Sequence, residues 1–209
     1  MASSGSELAG LVDFEKQSLW ISAASIAFNP LFWNILARQG QTEYHNKILS
    51  RTLGGKHAAC YALAVSIFSL GIVRDWLFKA ALGEQPSHPL LEGALAQGAG
   101  YALTAAGGVL VLSSMWALGV TGTYLGDYCG ILMDEMVAGF PFSVTSAPMY
   151  WGATMSFLGA ALVLGKPAGV LLAGEALLGY AVALRFEDPF TAEIYAKRER
   201  ERAAGKKTE

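Results

Sequence analysis

The chain has 209 residues, of which 53% are hydrophobic and 15% charged, and its formal net charge at pH 7 is −2. Because the few charges lie in clusters between apolar segments, this composition excludes an ordinary soluble domain and predicts one integral membrane domain. We expect the lipid bilayer as its main partner, and we expect neither a nucleic-acid partner nor a bound metal.

The apolar segments predict an all-α integral membrane protein with four to five hydrophobic helices. The first segment, Leu19 to Ala37, has Asn29 and Pro30 near its centre. Proline removes a helix hydrogen bond and clashes with the preceding turn. We therefore expect this first helix to be kinked or re-entrant.

The next two apolar segments are longer. One runs from His57 to Val73, with an interfacial extension from Trp76 to Leu82, and the next runs from Ala94 to about Leu118. The second of these lies in an uncharged run of 34 residues, 93–126, which is enough for a tilted span of about 20 residues plus an irregular extension. Its glycines at positions 98, 100, 107 and 108 indicate a helix face that is closely packed or open to a ligand.

Two shorter apolar runs follow, Met149 to Leu164 and Gly169 to Leu184. Each has about 16 residues, which is short for a full crossing, so they predict a helical hairpin or one broken span. We expect Pro189 to redirect the chain after the second run. The domain boundaries predicted in this way are an N-terminal segment 1–18, a membrane domain 19–191 and a charged tail 192–209.

The tail is predicted to be cytosolic and helical at its start. Seven of the fifteen lysines and arginines lie between Arg185 and Lys207, and positive charge is enriched on the cytoplasmic side of membrane proteins. Lys206 and Lys207 stand where a di-lysine retrieval signal of the endoplasmic reticulum would. We therefore expect a multi-pass protein of the endoplasmic reticulum membrane, with a mitochondrial membrane as a second location.

Two acidic positions are candidate functional sites. The uncharged run ends at Asp127, which lies among four glycines and beside Tyr124 and Tyr128. The alternative for this stretch is a small-residue face for helix packing, with Asp127 as a helix cap. Glu187 and Asp188 directly follow the last apolar run. They are either a solvated helix end or acceptors for the hydroxyls or amine of a cationic ligand.

Six separated motifs carry a resemblance to a known family. They are FNPLFWN (28–34), VLSS (111–114), GTYLGDYCGIL (122–132), GFPF (139–142), PMYWG (148–152) and EDPFTAEIY (187–195). In this order they resemble the phospholipid N-methyltransferases, over residues 14 to 197. The resemblance implies transfer of methyl groups from S-adenosylmethionine to phosphatidyl-N-methylethanolamine and its dimethyl product, which yields phosphatidylcholine.

Two alternatives to this activity stay open. One is a methyltransferase that performs all three steps from phosphatidylethanolamine. The other is a non-catalytic scaffold that binds lipid.

The resemblance also implies where the methyl donor binds. The Gly-x-Gly element of the family falls on Ala105, Ala106 and Gly107, so its first glycine is replaced. The acidic pair of the family falls on Glu187 and Asp188. Pro148 and Tyr150 match the Pro-x-Tyr element of the wider group of membrane methyltransferases, although Ser146-Ala147 stands where carboxylate-methylating members carry Arg-His.

The reaction requires a base, because an alkylammonium is protonated at neutral pH. Asp127 is the first candidate, with Tyr128 beside it, and His45 is the second. Aromatic faces attract cations such as a sulfonium or a quaternary amine. We therefore assign Tyr124 and Trp151, together with Asn29, to the lipid substrate.

Overall fold

The structure, a computed structural model, describes residues 10–46, 48–124, 126 and 129–205; the side chains of residues 31, 33–49, 190 and 201 are outside this description. The described residues form helices and no strand. The helices are α1 Gln17–Asn46, α2 Ile48–Thr52, α3 Lys56–Glu84, α4 Ala94–Thr123, α5 Pro148–Val163 and α6 Pro167–Gly205, with a short 3₁₀ turn at Pro89–Leu91.

The predicted all-α membrane fold is confirmed. Five of the described helices are 16 residues or longer, in agreement with four to five hydrophobic helices. By length and composition, α3, α4 and α6 could each cross a membrane. The expected second segment and its extension form the single helix α3, because no helix breaker lies between Val73 and Trp76.

Glycines hold α4 and α5 in backbone contact. Gly100 lies against Gly159, and Gly107 against Gly152, so two pairs seven residues apart face each other on antiparallel helices. A Cβ atom added at Gly100 would stand 2.7 Å from the carbonyl oxygen of Gly159, and one added at Gly152 would stand 2.7 Å from that of Gly107. Small residues allow such close approach between membrane helices.

The main core joins α1, α3, α5 and α6. The buried residues Leu19, Phe78, Phe157, Leu172 and Tyr180 belong to one cluster. Within it the rings of Phe78 and Phe157 pack edge to face, with their centroids 4.7 Å apart. Aromatic rings bury large areas and prefer this geometry, so this contact fixes α3 against α5.

Helix α1 continues through Pro30. The proline ring lies over Gly179 of α6, where an added Cβ would be 3.3 Å from Pro30 Cγ. Close packing against a glycine thus accommodates the ring in the α1–α6 interface.

The predicted hairpin is confirmed, because α5 and α6 pack against each other after a turn of only three residues, 164–166. The expectation for Pro189 was wrong, since α6 runs through it and ends at Gly205. A proline within a helix costs about 3 kcal/mol. Contacts beyond it favour the helix: Ile194 is buried, and Arg198 bonds the carbonyl oxygens of Met133 and Asp134.

At one end of the bundle, the N-terminal segment, the end of α3 and the α5–α6 turn are joined. The buried Gln85 side chain accepts from the Asp13 amide at 2.8 Å and donates to the Asp13 carbonyl at 2.9 Å. The Lys166 ammonium donates to the Gln85 carbonyl at 2.7 Å. These bonds satisfy backbone groups that the ends of helices leave unpaired.

At the other end, α4 bends and a long loop follows. Gly119 interrupts the helical backbone with φ 62° and ψ −176°, a conformation that glycine adopts without strain. The break comes one residue after Leu118, where the sequence predicted the regular helix to end. Between Thr123, where α4 ends, and Pro148, the first residue of α5, the described residues form no helix.

The glycine contact can be tested by adding one methyl group. We expect Gly159→Ala to lower the thermal midpoint in detergent, because the new Cβ would overlap the Thr104 hydroxyl and lie 2.6 Å from the Gly100 carbonyl oxygen. Overpacking of this kind costs about 1–3 kcal/mol. Gly98→Ala is the matched control, since nothing lies within 4 Å of its Cβ position. A Gly159→Ala midpoint equal to that of the control would contradict the contact.

Candidate active site

Two residues that the sequence assigned to the donor site are in direct contact. The Tyr150 hydroxyl donates a hydrogen bond of 2.6 Å to Glu187 Oε2. Tyr150 lies in the first turn of α5, and Glu187 lies on α6 where the apolar run ends. Both side chains are half-buried. A hydrogen bond to an ionised acceptor is short and strong, so this bond fixes the carboxylate between the two helices.

A third element of the predicted donor site packs against α5 from α4. Gly107 of α4 contacts the backbone of Gly152, which is two residues after Tyr150. This close packing explains why position 107 is a glycine. Ala105 and Ala106, the other two residues of the element, are exposed. Pro148 is buried and begins α5, a position at which its missing N–H costs nothing. The structure thus brings Tyr150 and Glu187 together beside the start of α5 at Pro148, whereas Gly107 packs on a different face of α5 through Gly152.

Asp188 differs from its neighbour. Its side chain is exposed, whereas Glu187 is half-buried and bonded to Tyr150. Successive helix residues point about 100° apart, so both carboxylates cannot face α5 equally.

The residues assigned to the lipid substrate are not gathered at one point. Asn29 is buried in α1, and its amide nitrogen donates to the Ser25 carbonyl oxygen at 3.2 Å. Trp151 is 47% exposed near the start of α5. Tyr124 ends α4 and lines an apolar groove with Tyr61 and Phe68 of α3. Partial burial raises the pKa of the Tyr124 phenol.

The first-choice base, Asp127, and its neighbour Tyr128 lie outside the described residues, and so does the side chain of His45.

The described residues on both sides of Asp127 are held by contacts with the helices. The Gly126 amide donates to the Thr121 carbonyl at 2.8 Å, and Cys129 is buried with Ala59 and Cys60 of α3. The buried Cys60 thiol lies 3.6 Å from the Tyr124 carbonyl oxygen.

Comparisons with known proteins match the part of the chain that carries these residues. A sequence model of the phospholipid methyltransferase family matches residues 95–198. A phosphatidyl-N-methylethanolamine N-methyltransferase of Neurospora crassa is 62% identical over 198 residues, which cover 94% of this chain and 91% of the relative. The chain belongs to the phospholipid methyltransferase family.

Other family members are similar over nearly their whole length. The phosphatidyl-N-methylethanolamine N-methyltransferase of Saccharomyces cerevisiae is 52% identical, covering 90% of each chain. The human phosphatidylethanolamine N-methyltransferase is 44% identical, covering 95% of this chain and 96% of its own. No solved structure matches the chain. The region matched by the phospholipid methyltransferase family contains α4, α5 and the part of α6 that bears Glu187, so it includes the whole predicted donor site.

The sequence analysis missed Tyr180 and Arg74. The Tyr180 ring stacks on the Tyr150 ring, with centroids 4.6 Å apart and an interplanar angle of 17°. Arg74 donates from Nη1 to the Tyr180 hydroxyl at 2.8 Å. Both residues carried a signal, because each is a polar group inside or at the end of an apolar run. Such residues in membrane helices are costly and commonly functional.

We expect Glu187→Gln to weaken binding of S-adenosylmethionine, the donor implied by the resemblance, by about 10- to 100-fold, since hydrogen bonds to charged groups contribute about 1.5–3 kcal/mol. Tyr150→Phe should weaken it less, because the carboxylate stays but is no longer held. Calorimetric titration of the purified protein measures both constants.

Glu193→Gln is the matched control for these variants. It changes an exposed carboxylate on the same helix, so its affinity should equal that of the wild type. Asp188→Asn tests the second member of the acidic pair. Unchanged affinity in Glu187→Gln and Asp188→Asn together would place the donor elsewhere.

Proposed function

We propose that this protein transfers methyl groups from S-adenosylmethionine to the headgroup nitrogen of phosphatidyl-N-methylethanolamine and of its dimethyl product, forming phosphatidylcholine. The observation that carries the proposal is the 62% identity, over 94% of the chain, to a relative named for the first of these acceptors. Helices α3, α4 and α6 are long and apolar enough to place the protein in the membrane with its lipid substrate.

The residues around Glu187 suit this donor. The donor supplies an electrophilic methyl group on a positively charged sulfur. Glu187 offers a carboxylate for its hydroxyls or amine, and the half-buried ring of Tyr150 gives an aromatic face close to that carboxylate. Attraction between a cation and an aromatic face contributes roughly 0.5–2 kcal/mol. We assign donor binding to Glu187, Asp188, Tyr150 and Pro148, together with the 105–107 element.

The acceptor amine must lose a proton before its lone pair can attack the methyl carbon. At about three pK units below the pKa of an alkylammonium, deprotonation costs roughly 4–5 kcal/mol. We assign this step to Asp127, with Tyr128 beside it and His45 as the alternative base. The bound donor would supply the methyl group to this lone pair and leave with a neutral sulfur, while the base would hold the proton.

We place the protein in the endoplasmic reticulum membrane with its C-terminus in the cytosol. The charged second half of α6 supports this orientation, because arginine and lysine are enriched on the cytoplasmic side. Tyr150, Glu187 and residues 129–147 of the loop before α5 lie at the same end of the bundle as that tail. The water-soluble donor would then enter from the cytosol, and the lipid from the bilayer.

A second candidate function is methylation of phosphatidylethanolamine through all three steps. The 44% identity to the human enzyme named for that acceptor supports it. The non-catalytic scaffold is disfavoured, because relatives similar over about nine-tenths of the chain are named as methyltransferases.

Headgroup methylation by the purified protein in lipid nanodiscs tests the proposal. We expect rapid methylation of the monomethyl and dimethyl acceptors and slow methylation of phosphatidylethanolamine, with the lipid products separated and counted. Equal rates on all three acceptors would favour the second candidate. If none of the three acceptors is methylated, the non-catalytic lipid-binding scaffold is the remaining interpretation.

Asp127→Asn should lower the single-turnover rate by about 10²–10⁴, the usual contribution of a general base. Asp134→Asn is the matched control, because its side chain is exposed in the same loop. Asparagine caps helices about as well as aspartate. A rate near that of the wild type would therefore identify Asp127 as a cap and leave His45 as the base.

A further inference from the structure

Arg74 lies within α3, a helix that is long and apolar enough to cross a membrane. Its side chain is only 16% exposed. Burying a charge in such a helix is costly, and buried ionisable groups of this kind commonly serve a function with an identifiable partner. The donor-site proposal above does not include Arg74.

The contacts of Arg74 lead to the predicted donor site. Its Nη1 donates to the Tyr180 hydroxyl at 2.8 Å, and its guanidinium lies 4.9 Å from the centre of the Phe157 ring. Tyr180 is 7% exposed and stacks on Tyr150, whose hydroxyl bonds Glu187. Four side chains thus form a continuous connection from α3 to the carboxylate.

The spacing on α6 explains why this connection fixes geometry. Tyr180 and Glu187 are seven residues apart, two helical turns, and therefore share one face about 10 Å apart along the axis. Tyr150 bridges them, with its ring on Tyr180 and its hydroxyl on Glu187. A Tyr180 ring held at its hydroxyl by Arg74 keeps the Tyr150 ring parallel to it, and with it the direction of the bond to Glu187.

The charge of Arg74 is balanced locally. Its Nε and Nη2 donate to Asp75 Oδ1 at 3.0 and 2.8 Å. The pair adds little net positive charge near a site that would take a cationic donor. A planar guanidinium can hold Asp75 through two nitrogens and Tyr180 through the third, which a lysine ammonium cannot reproduce with the same geometry.

We propose that Arg74 is a positioning residue for the methyl-donor site, acting through Tyr180 and Tyr150 on Glu187. The inference rests on the proposed function, because it concerns binding of S-adenosylmethionine. Arg74 lies outside the region matched by the family model, residues 95–198. Helix α3 therefore contributes to donor binding without contacting the donor.

Two variants each remove the hydrogen bond between Arg74 and the Tyr180 hydroxyl. Arg74→Met removes the guanidinium but keeps an apolar side chain of similar length. Tyr180→Phe keeps the stacked ring and removes only the hydroxyl that Arg74 holds. We expect each to raise the donor Kd about three- to tenfold, the effect of losing one hydrogen bond. The KM for the lipid acceptor should stay within about twofold, as the acceptor makes no use of this bond.

The decisive measurement repeats Arg74→Met in a Glu187→Gln background. If Arg74 acts through Glu187, the added change should leave the donor Kd of the Glu187→Gln protein as it is, while the thermal midpoint still falls. A purely structural role would lower the midpoint and weaken donor and acceptor alike in both backgrounds. Lys79→Met is the matched control, because it removes an exposed cation from the same helix.

The results separate the two proposals. A wild-type protein that binds no S-adenosylmethionine overturns the proposed function and this inference with it. A wild-type protein that binds the donor, with Arg74→Met and Tyr180→Phe equal to it, overturns the inference alone. If Arg74→Met does not fold, Tyr180→Phe decides the result, since its ring keeps the core packed. An equal loss of donor affinity in both backgrounds also overturns the inference.

Discussion

The backbone contact between Gly107 and Gly152 is the constraint on which the rest of the site depends. It sets the distance between α4 and α5, and it leaves no room for a side chain at either position. With α5 held there, its first turn presents Tyr150 to α6, where the ring meets Tyr180 and the hydroxyl meets Glu187. A larger residue in the glycine contact would move all these groups together.

The polar groups of the site follow the rules for burial in an apolar surrounding. An unpaired carboxylate or guanidinium there is costly, whereas paired groups are tolerated. Arg74 is paired with Asp75 and bonded to Tyr180, and Glu187 accepts from Tyr150. The same bonds that offset the cost of burying these groups also hold each group in one orientation. This preorganisation suits a reaction in which catalysis is mainly the positioning of donor and acceptor.

Much of the fold was predictable from the sequence, because apolar length and proline and glycine positions are local signals. The break in α4 after Leu118, the start of α5 at Pro148 and the α5–α6 hairpin all follow from them. Pro189 misled the prediction, because the buried Ile194 and the bonds of Arg198 to the loop are long-range contacts. Local sequence carries no information on such contacts.

The site was predictable only in part. The motifs that resemble the family identified Tyr150 and Glu187, and the structure adds that they touch. They did not identify Arg74 or Tyr180, because the pairing of α3 with α6 joins residues 106 positions apart. Gly107 was assigned to the donor, whereas its immediate contact is α5.

We expect the methyl donor to bind where the first turn of α5 meets α6, beside Tyr150 and Glu187. Ultraviolet cross-linking of S-adenosylmethionine with a radiolabelled methyl group to the purified protein, followed by peptide mapping, tests it most directly. The account predicts label in the peptide that contains Tyr150 and in the peptide that contains Tyr180 and Glu187, suppressed by excess unlabelled donor. Suppressible label confined to α1, or to the α3 residues Tyr61 to Phe68, would contradict it.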